Sequence, residues 1–489
     1  MDDAVVVGSG PNGLAAAVEL ARAGLSVRVV EARDTIGGGM RTAELTLPGF
    51  LHDVCSGCHP TGIVSPYFRT LPLDRHGLRW LQSGVSVAHP LDGEPAVLLR
   101  RSLDDTAREL GRDADAYRRL LGASLRDPHA LLADLLAPLR IPRHPLRMAR
   151  FGLPGLLPAR VLYRAWFREE RARALLAGCA AHSILPFDRL LTGAVGMIFA
   201  LTGHVEDWPV AAGGSRAIGD ALGSYLTELG GRIETSRPVR SLADLPPARV
   251  VLFDTSPAQL AAVAGPVLPD GYLRRLGRFR YGPGIFKLDW ALDGPIPWRD
   301  PRAVEAATVH VGGTLDQIAD AEGAVARGEH PERPFVMVVQ QSQLDPSRAP
   351  AGKQTGYAYV HVPAGSTVDQ TDVIERQIER FAPGFRDRIL ARHVLRPGDL
   401  ERDNPNYLGG AISGGSMDVT QFFTRPVTRL DPYSTPNPRV FLCSASTPPG
   451  PGVHGMCGYF AARSAVARLA RLPSRLEALQ AAACRRAGN

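Results

Sequence analysis

Apolar positions along the chain fall into three patterns. Val5, Val6 and Val7 form a short unbroken apolar run that reads as a buried parallel strand. It is followed by a small-residue pattern at helical spacing, and Leu25–Val30 then reads as a second strand. In the second half, Ile285–Leu292, Ala307–Val311, Phe335–Gln341 and Tyr357–Val362 alternate or run apolar with many β-branched residues. They predict strands of an antiparallel sheet. Asp369–Phe381 predicts an amphipathic helix that stops before Pro383-Gly384. Residues 103–204 read as largely helical. Near the end, Val440–Cys443 reads as a short strand, then a loop rich in Gly and Pro, then a helix from about Gly455. The longest apolar stretch, Leu190–Leu201, contains two glycines and falls short of the roughly 20 residues a membrane span requires.

The junction after the first strand carries the strongest chemistry. Gly8-Ser-Gly10-Pro11-Asn12-Gly13 spells G-x-G-x-x-G between a strand and a helix. Gly8 permits the tight turn, Gly10 lets the backbone approach a pyrophosphate, and Gly13 lets the helix lie close against the strand. The helix N-terminus then offers free N–H groups and the positive end of its dipole. The second strand ends at Glu31, about 20 residues past the glycines, where an acid can bind ribose hydroxyls. Strand, helix, second strand and acid together predict a dinucleotide site. After Ala32 and Arg33, a glycine triplet (Gly37, Gly38, Gly39) followed by Arg41 and Thr42 predicts a second close backbone approach to the same ligand. At the other end, Ser444, Ala445, Gly452, Val453, His454 and Gly455 lie on a loop running into a helix. A helix N-terminus there suits the electron-rich N1–O2 edge of a flavin.

Composition narrows the class. The 489 residues are 45% hydrophobic and 21% charged, ordinary for a globular protein. Six cysteines are too few for a disulfide framework. The net charge of +7 is compatible with an anionic ligand or a membrane surface and is weak support for nucleic acid, which is not expected as a partner. The glycine motif begins almost at once, so no export leader is expected and the predicted location is cytoplasmic. Between Asp134 and Glu169 the chain has no acid but seven arginines interleaved with leucines and aromatics. This segment is either a helical lid with a solvated basic face or a peripheral membrane contact. Cys55-Ser-Gly-Cys58-His59 matches the c-type haem attachment pattern, which a cytoplasmic chain would not use; structural thiols are the expectation.

Gly8–Thr42, Leu51–Pro60 with Ser65-Pro66, Ala212–Leu222 with Gly230–Val239, Asn404–Gly415 and Cys443–Ala462 together resemble the phytoene desaturase-like family of FAD-dependent oxidoreductases. Carotenoid desaturases, retinol saturases and flavin amine oxidases are related to it. One departure is the Cys443-Ser444-Ala445-Ser446 stretch, where the family usually has a glycine-rich or acidic one. The resemblance implies an α/β fold: a discontinuous glutathione reductase-like FAD-binding Rossmann domain with a sheet-plus-helix substrate domain. The expected boundaries are 1–75, 205–258 and 400–489 for the FAD domain. The substrate domain would take 76–204 and 259–399, with a helical cap over about 103–204. FAD would be non-covalent, with the backbone of Val239 at its adenine end.

The chemistry implied is removal of two hydrogens from a largely apolar substrate, forming C=C or C=N, with the flavin N5 taking the hydride. His59, His454 and Lys287 are the candidate catalytic side chains, each weighed against a packing role. With a single G-x-G-x-x-G, no second nicotinamide domain is expected, so oxygen, a quinone or another protein would take the electrons, unless the enzyme is a redox-neutral isomerase or a saturase. A homodimer is left open. The alternatives are an amine oxidase-type enzyme, with Lys287 near the flavin, and a non-catalytic prenyl-binding escort of the same fold.

Overall fold

The computed structural model describes residues 1–471, so the final part of the expected FAD domain, 472–489, lies outside the described residues. A five-stranded sheet is parallel throughout, in the spatial order Val440–Leu442, Ala248–Phe253, Asp2–Val7, Val27–Val30, Arg232–Glu234. Apart from the edge strand Arg232–Glu234, its strands are largely buried on both faces. Ala4 and Val6 pack with the helices Pro11–Arg22, Arg216–Glu228 and Met456–Leu469. Val5 and Val7 point the other way, into Pro257–Ala264 and Asp270–Leu276. This is a doubly wound sheet, and the chain reverses its direction of strand addition between Asp2–Val7 and Ala248–Phe253. In such sheets the crevice at the carboxyl ends of the two switch-point strands receives the ligand. Gly8 and Asp254 leave the sheet there, with Asp254 N–H donating to the Val7 carbonyl at 2.8 Å.

Helices Pro11–Arg22 and Met456–Leu469 pack backbone to backbone. A Cβ on Gly458 would lie 1.9 Å from the Asn12 carbonyl oxygen. The alanine-rich face Ala15-Ala16-Ala17 belongs to the same apolar core. The two ends of the chain are thus joined directly behind the switch point.

The second sheet has seven strands, in the order Ile389–Leu395, Gly284–Leu292, Gln354–Val362, Val336–Val339, Thr308–Val311, Val85–Leu91, Glu94–Arg100. It is mixed rather than antiparallel, because Thr308–Val311 pairs parallel with Val85–Leu91. The hairpin 85–100 and the edge strand Ile389–Leu395 were not anticipated. The hairpin turns at Asp92-Gly93, with Gly93 at φ +72°, a two-residue signal that was present in the sequence. The expected strand Phe335–Gln341 stops at Val339, and Gln341–Leu344 forms a helical turn instead. One face of the sheet carries the buried helices Glu170–Ala181 and Thr192–Glu206; the other carries Thr371–Glu379.

A buried charge cluster ties the turn at 345–348 to the hairpin 42–53 and to the loop 213–215. Arg348 is fully buried and bonds Asp53 at 3.0 Å and Asp345 at 3.1 Å. Asp53 also accepts from Thr42 Oγ1 and Ser215 N–H, each at 2.8 Å, and Asp345 accepts from Gly213 N–H at 2.7 Å. No helix among the described residues is long and apolar enough to cross a membrane.

Candidate functional site

A single cavity of about 940 Å³ runs from the switch point to the helical cap. That is the upper end of the size range for ligand sites. At the switch-point end its wall is glycine backbone. Gly8 has φ +96°, and a Cβ there would lie 2.9 Å from the Asp254 carbonyl oxygen. A Cβ on Gly10 would meet the Asp254 carboxylate at 2.5 Å. The second glycine run backs onto the first, since a Cβ on Gly38 would meet Gly10 Cα at 2.9 Å. Gly39 leaves room for the Tyr407 hydroxyl.

Glu31 closes the next strand. Its Oε2 accepts from Ser9 N–H at 2.9 Å and from Ser9 Oγ at 2.6 Å; its Oε1 accepts from Arg33 N–H at 2.8 Å. Backbone bonds from Ser236 to Arg33 and from Arg237 to Glu31 carry Val239 onto the same rim as Ala32. Arg41 lines the cavity and is ion-paired with Asp403, which Arg33 also contacts at 3.0 Å. Pro11 and Asn12 line it as well, and Asn12 Oδ1 is buried with no partner among the described residues. From the far end of the sequence, Ser444, Ala445, Gly452 and Val453 reach the same wall.

Five expected residues stand elsewhere. Gly13 lies behind the loop, where a Cβ would meet the Gly8 carbonyl oxygen at 2.2 Å. Gly455 begins the last helix at φ +67°, packed on Phe68 and Ala15. Thr42 is turned away onto Asp53 and the backbone N–H of Arg216. His454 does not line the cavity. It is fully buried, its Nδ1 accepts from Met456 N–H at 3.0 Å, and burial pushes it down to about 4. It shapes the helix start and is not placed to move a proton. Lys287 is neither a surface lysine nor at the cavity wall. It is fully buried, ion-paired with Asp289, donates to the Asp53 carbonyl at 3.1 Å, and stands 4.5 Å behind the ring of Tyr357.

His59 does face the cavity. Its Nε2 donates to Ser215 Oγ at 2.8 Å, which in turn donates to the Ser56 carbonyl at 2.6 Å. Burial holds it neutral, at about 4. Cys55 and Cys58 also line the wall as free thiols. Burial raises both, Cys58 to about 12, so neither is a thiolate.

Sequence reasoning missed two organisers. Asp254 accepts from Gly13 N–H at 2.8 Å and fixes the glycine loop; burial, with Glu31 nearby, raises it to about 7. A carboxylate ending the apolar run Val250–Phe253 was its signal. Arg425 is fully buried and donates to the carbonyls of Ala445, Gly415 and Ser416 at 2.9–3.2 Å, pinning the Ser444 loop. No sequence signal marked it, because its partners are backbone.

Residues 6–71 match the family model described as an NAD(P)-binding Rossmann-like domain. The chain is 28% identical to the rat "pyridine nucleotide-disulfide oxidoreductase domain-containing protein 2", over 94% of this chain and 92% of that one. It is 25% identical to a lycopene-forming phytoene desaturase of Pseudescherichia vulneris, over 93% and 97% of the two chains. These similarities support the resemblance to the phytoene desaturase-like FAD-dependent oxidoreductases. A redesigned putrescine oxidase shares the fold of this flavoenzyme, with a TM-score of 0.62 at 17% identity over 96% of this chain and 99% of the other. FAD is the cofactor, and the wall fits it. The glycine backbone tolerates no Cβ, the orphaned Asn12 Oδ1 lies at the loop, and segments from both ends of the chain meet at one cavity.

Proposed function

We propose that this oxidoreductase removes two hydrogens from a largely apolar organic molecule, forming a C=C bond. The observation that carries this reading is the composition of the cavity beyond the glycine wall. It continues between residues such as Phe151, Ile198, Phe199, Met337 and Tyr359. Bound there, FAD supplies a hydride acceptor at N5. Gly8, Gly10, Gly38, Glu31, Val239 and the 444–453 loop hold it, and Arg41 with Asp403 closes the rim. His59, kept neutral by burial and oriented by Ser215, shapes the pocket without adding charge. The cap 103–204 excludes water. The FAD domain takes 1–75, 205–258 and the described part of 400–489, with the helices Pro257–Ala264 and Asp270–Leu276 packed on its sheet, and the substrate domain takes 76–204 and the rest of 259–399. Oxygen, a quinone or another protein takes the electrons.

An amine oxidase-type reaction, forming C=N, is the second reading, favoured by the aromatic walls Trp208, Tyr357, Tyr359 and Tyr407. The position of Lys287 behind Tyr357 counts against it. Anaerobic mixing of the yellow holoenzyme with apolar alkenes and with simple amines separates the two. Bleaching by the apolar set supports the first; bleaching by amines alone rejects it.

The cap also supports peripheral membrane contact. Leu139, Ile141 and Leu146 are 76%, 91% and 77% exposed, with Arg140, Arg143, Arg147 and Arg150 among them. Leu139 and Arg140 also line the cavity, so this surface lies at its mouth. Sedimentation with vesicles containing anionic lipid, abolished by an Ile141→Asp, Leu146→Asp double variant, tests this.

A further inference from the structure

Among the polar groups on the apolar half of the cavity wall, one ring nitrogen is left unused by the proposed reaction. His182, at the end of helix Glu170–Ala181, lines the cavity and keeps part of its ring open to it. Its ring is stacked on Phe199 with centroids 4.3 Å apart and meets Trp208 edge-on at 5.4 Å. Behind it stands fully buried His310, whose Nε2 is 3.2 Å from His182 Nε2.

The proton positions in this pair follow from burial. His310 Nδ1 is buried with no partner among the described residues, pressed against Gly178 beside His89 Nδ1. An unpaired buried N–H costs more than an unpaired acceptor, so His310 carries its proton on Nε2 and donates it to His182. Neutral His182 then holds its own proton on Nδ1, which makes no hydrogen bond among the described residues. Burial, with His361 nearby, pushes His182 down to about 3, so the ring carries no charge at neutral pH. The pair therefore presents one neutral N–H donor on an apolar, aromatic wall.

The carboxylates on the cavity wall are Glu31, Asp134, Asp254 and Asp403. Glu31 and Asp254 are bonded to the glycine loop, Asp403 to Arg33 and Arg41, and Asp134 to the backbone N–H groups of Arg143 and His144. None is free to receive an ammonium group. We propose that His182, oriented by His310, recognises a neutral oxygen function, a carbonyl or hydroxyl, on the otherwise apolar substrate. The substrate class is then an oxygenated apolar chain, neither a bare hydrocarbon nor an amine. The inference rests on the apolar-substrate reading above and narrows it.

Displacement of Nile red from the holoenzyme by undecane, 2-undecanone, 2-undecanol and undecylamine tests it. The ketone and the alcohol should displace the dye at concentrations about tenfold below the alkane, the worth of one buried hydrogen bond. His182→Phe keeps the stacking and should erase that difference while leaving the alkane value unchanged. His182→Gln, which restores an N–H donor, should recover part of it. Equal displacement by ketone and alkane in the unmodified enzyme, preference for the amine, or an undiminished preference in His182→Phe would each overturn the proposal. Anaerobic bleaching is measured separately. Its absence with every compound overturns the dehydrogenation reading, while the displacement order still decides this one.

Discussion

The closest test of how the two ends of the chain build the site is Gly458→Ala. In helix Met456–Leu469 the added Cβ would stand 1.9 Å from the Asn12 carbonyl oxygen and 2.9 Å from Ala16 N. These neighbours are backbone of a buried helix, so no rotamer change relieves the contact. Ordinary contact is 3.4 Å or more, and the helices would have to part by about 1.5 Å. Overpacking of this kind costs typically 1–3 kcal/mol and occasionally more. Alanine returns about 1 kcal/mol as the better helix former. A 1.9 Å contact with backbone takes the upper end of that cost, about 3 kcal/mol, so the expected net loss is about 2 kcal/mol, with weakened FAD retention because Asn12 and the 444–453 loop line the cavity. The matched control is Gly323→Ala, in helix Leu315–Ala326. Its Cβ would meet only the movable guanidinium of Arg327 at 3.3 Å. That change should stabilise by about 0.5–1 kcal/mol. Thermal unfolding followed by ellipticity and by the fluorescence of released flavin reads both. A Gly458→Ala protein as stable as the parent, or a Gly323→Ala protein equally damaged, refutes the packing argument.

Arg425→Met should lose about 2–4 kcal/mol, because three buried carbonyls lose their donor; urea unfolding together with FAD titration checks this, and unchanged FAD affinity would contradict the clamp. Arg348→Ala leaves Asp53 as a buried charge without its partner and should lose about 3–5 kcal/mol by urea unfolding. Asp254 is raised to about 7 from 3.8. Between about pH 4 and 7 the folded apoprotein thus holds a proton that the unfolded chain has released, and this contribution to stability is lost as pH rises through 7. Urea midpoints against pH should show that slope in the parent apoprotein and its loss in Asp254→Asn; identical slopes would refute the assignment.

The first β-α-β unit was legible because its constraints are local. An apolar run, three glycines and a terminal acid lie within about 30 residues, each required by backbone geometry at its own position. The sequence also pointed to the closing loop and to His59. It misjudged residues whose roles depend on a partner far away in the chain. Thr42 carries the right chemistry beside the second glycine run, yet Asp53 and the loop at Gly214 turn it from the cavity. Lys287 sits on a strand as expected, but Asp289 and the Asp53 carbonyl hold it behind Tyr357. His454 lies in the right loop, and its Nδ1 is taken by a backbone N–H.

The chain alone therefore determined that a dinucleotide-binding turn exists, since glycine's freedom from a Cβ is a property of the residue itself. Only the tertiary structure decided which polar groups face the cavity. Charge pairing and burial between segments more than a hundred residues apart set that, as where Arg348 meets Asp53 and His310 meets His182.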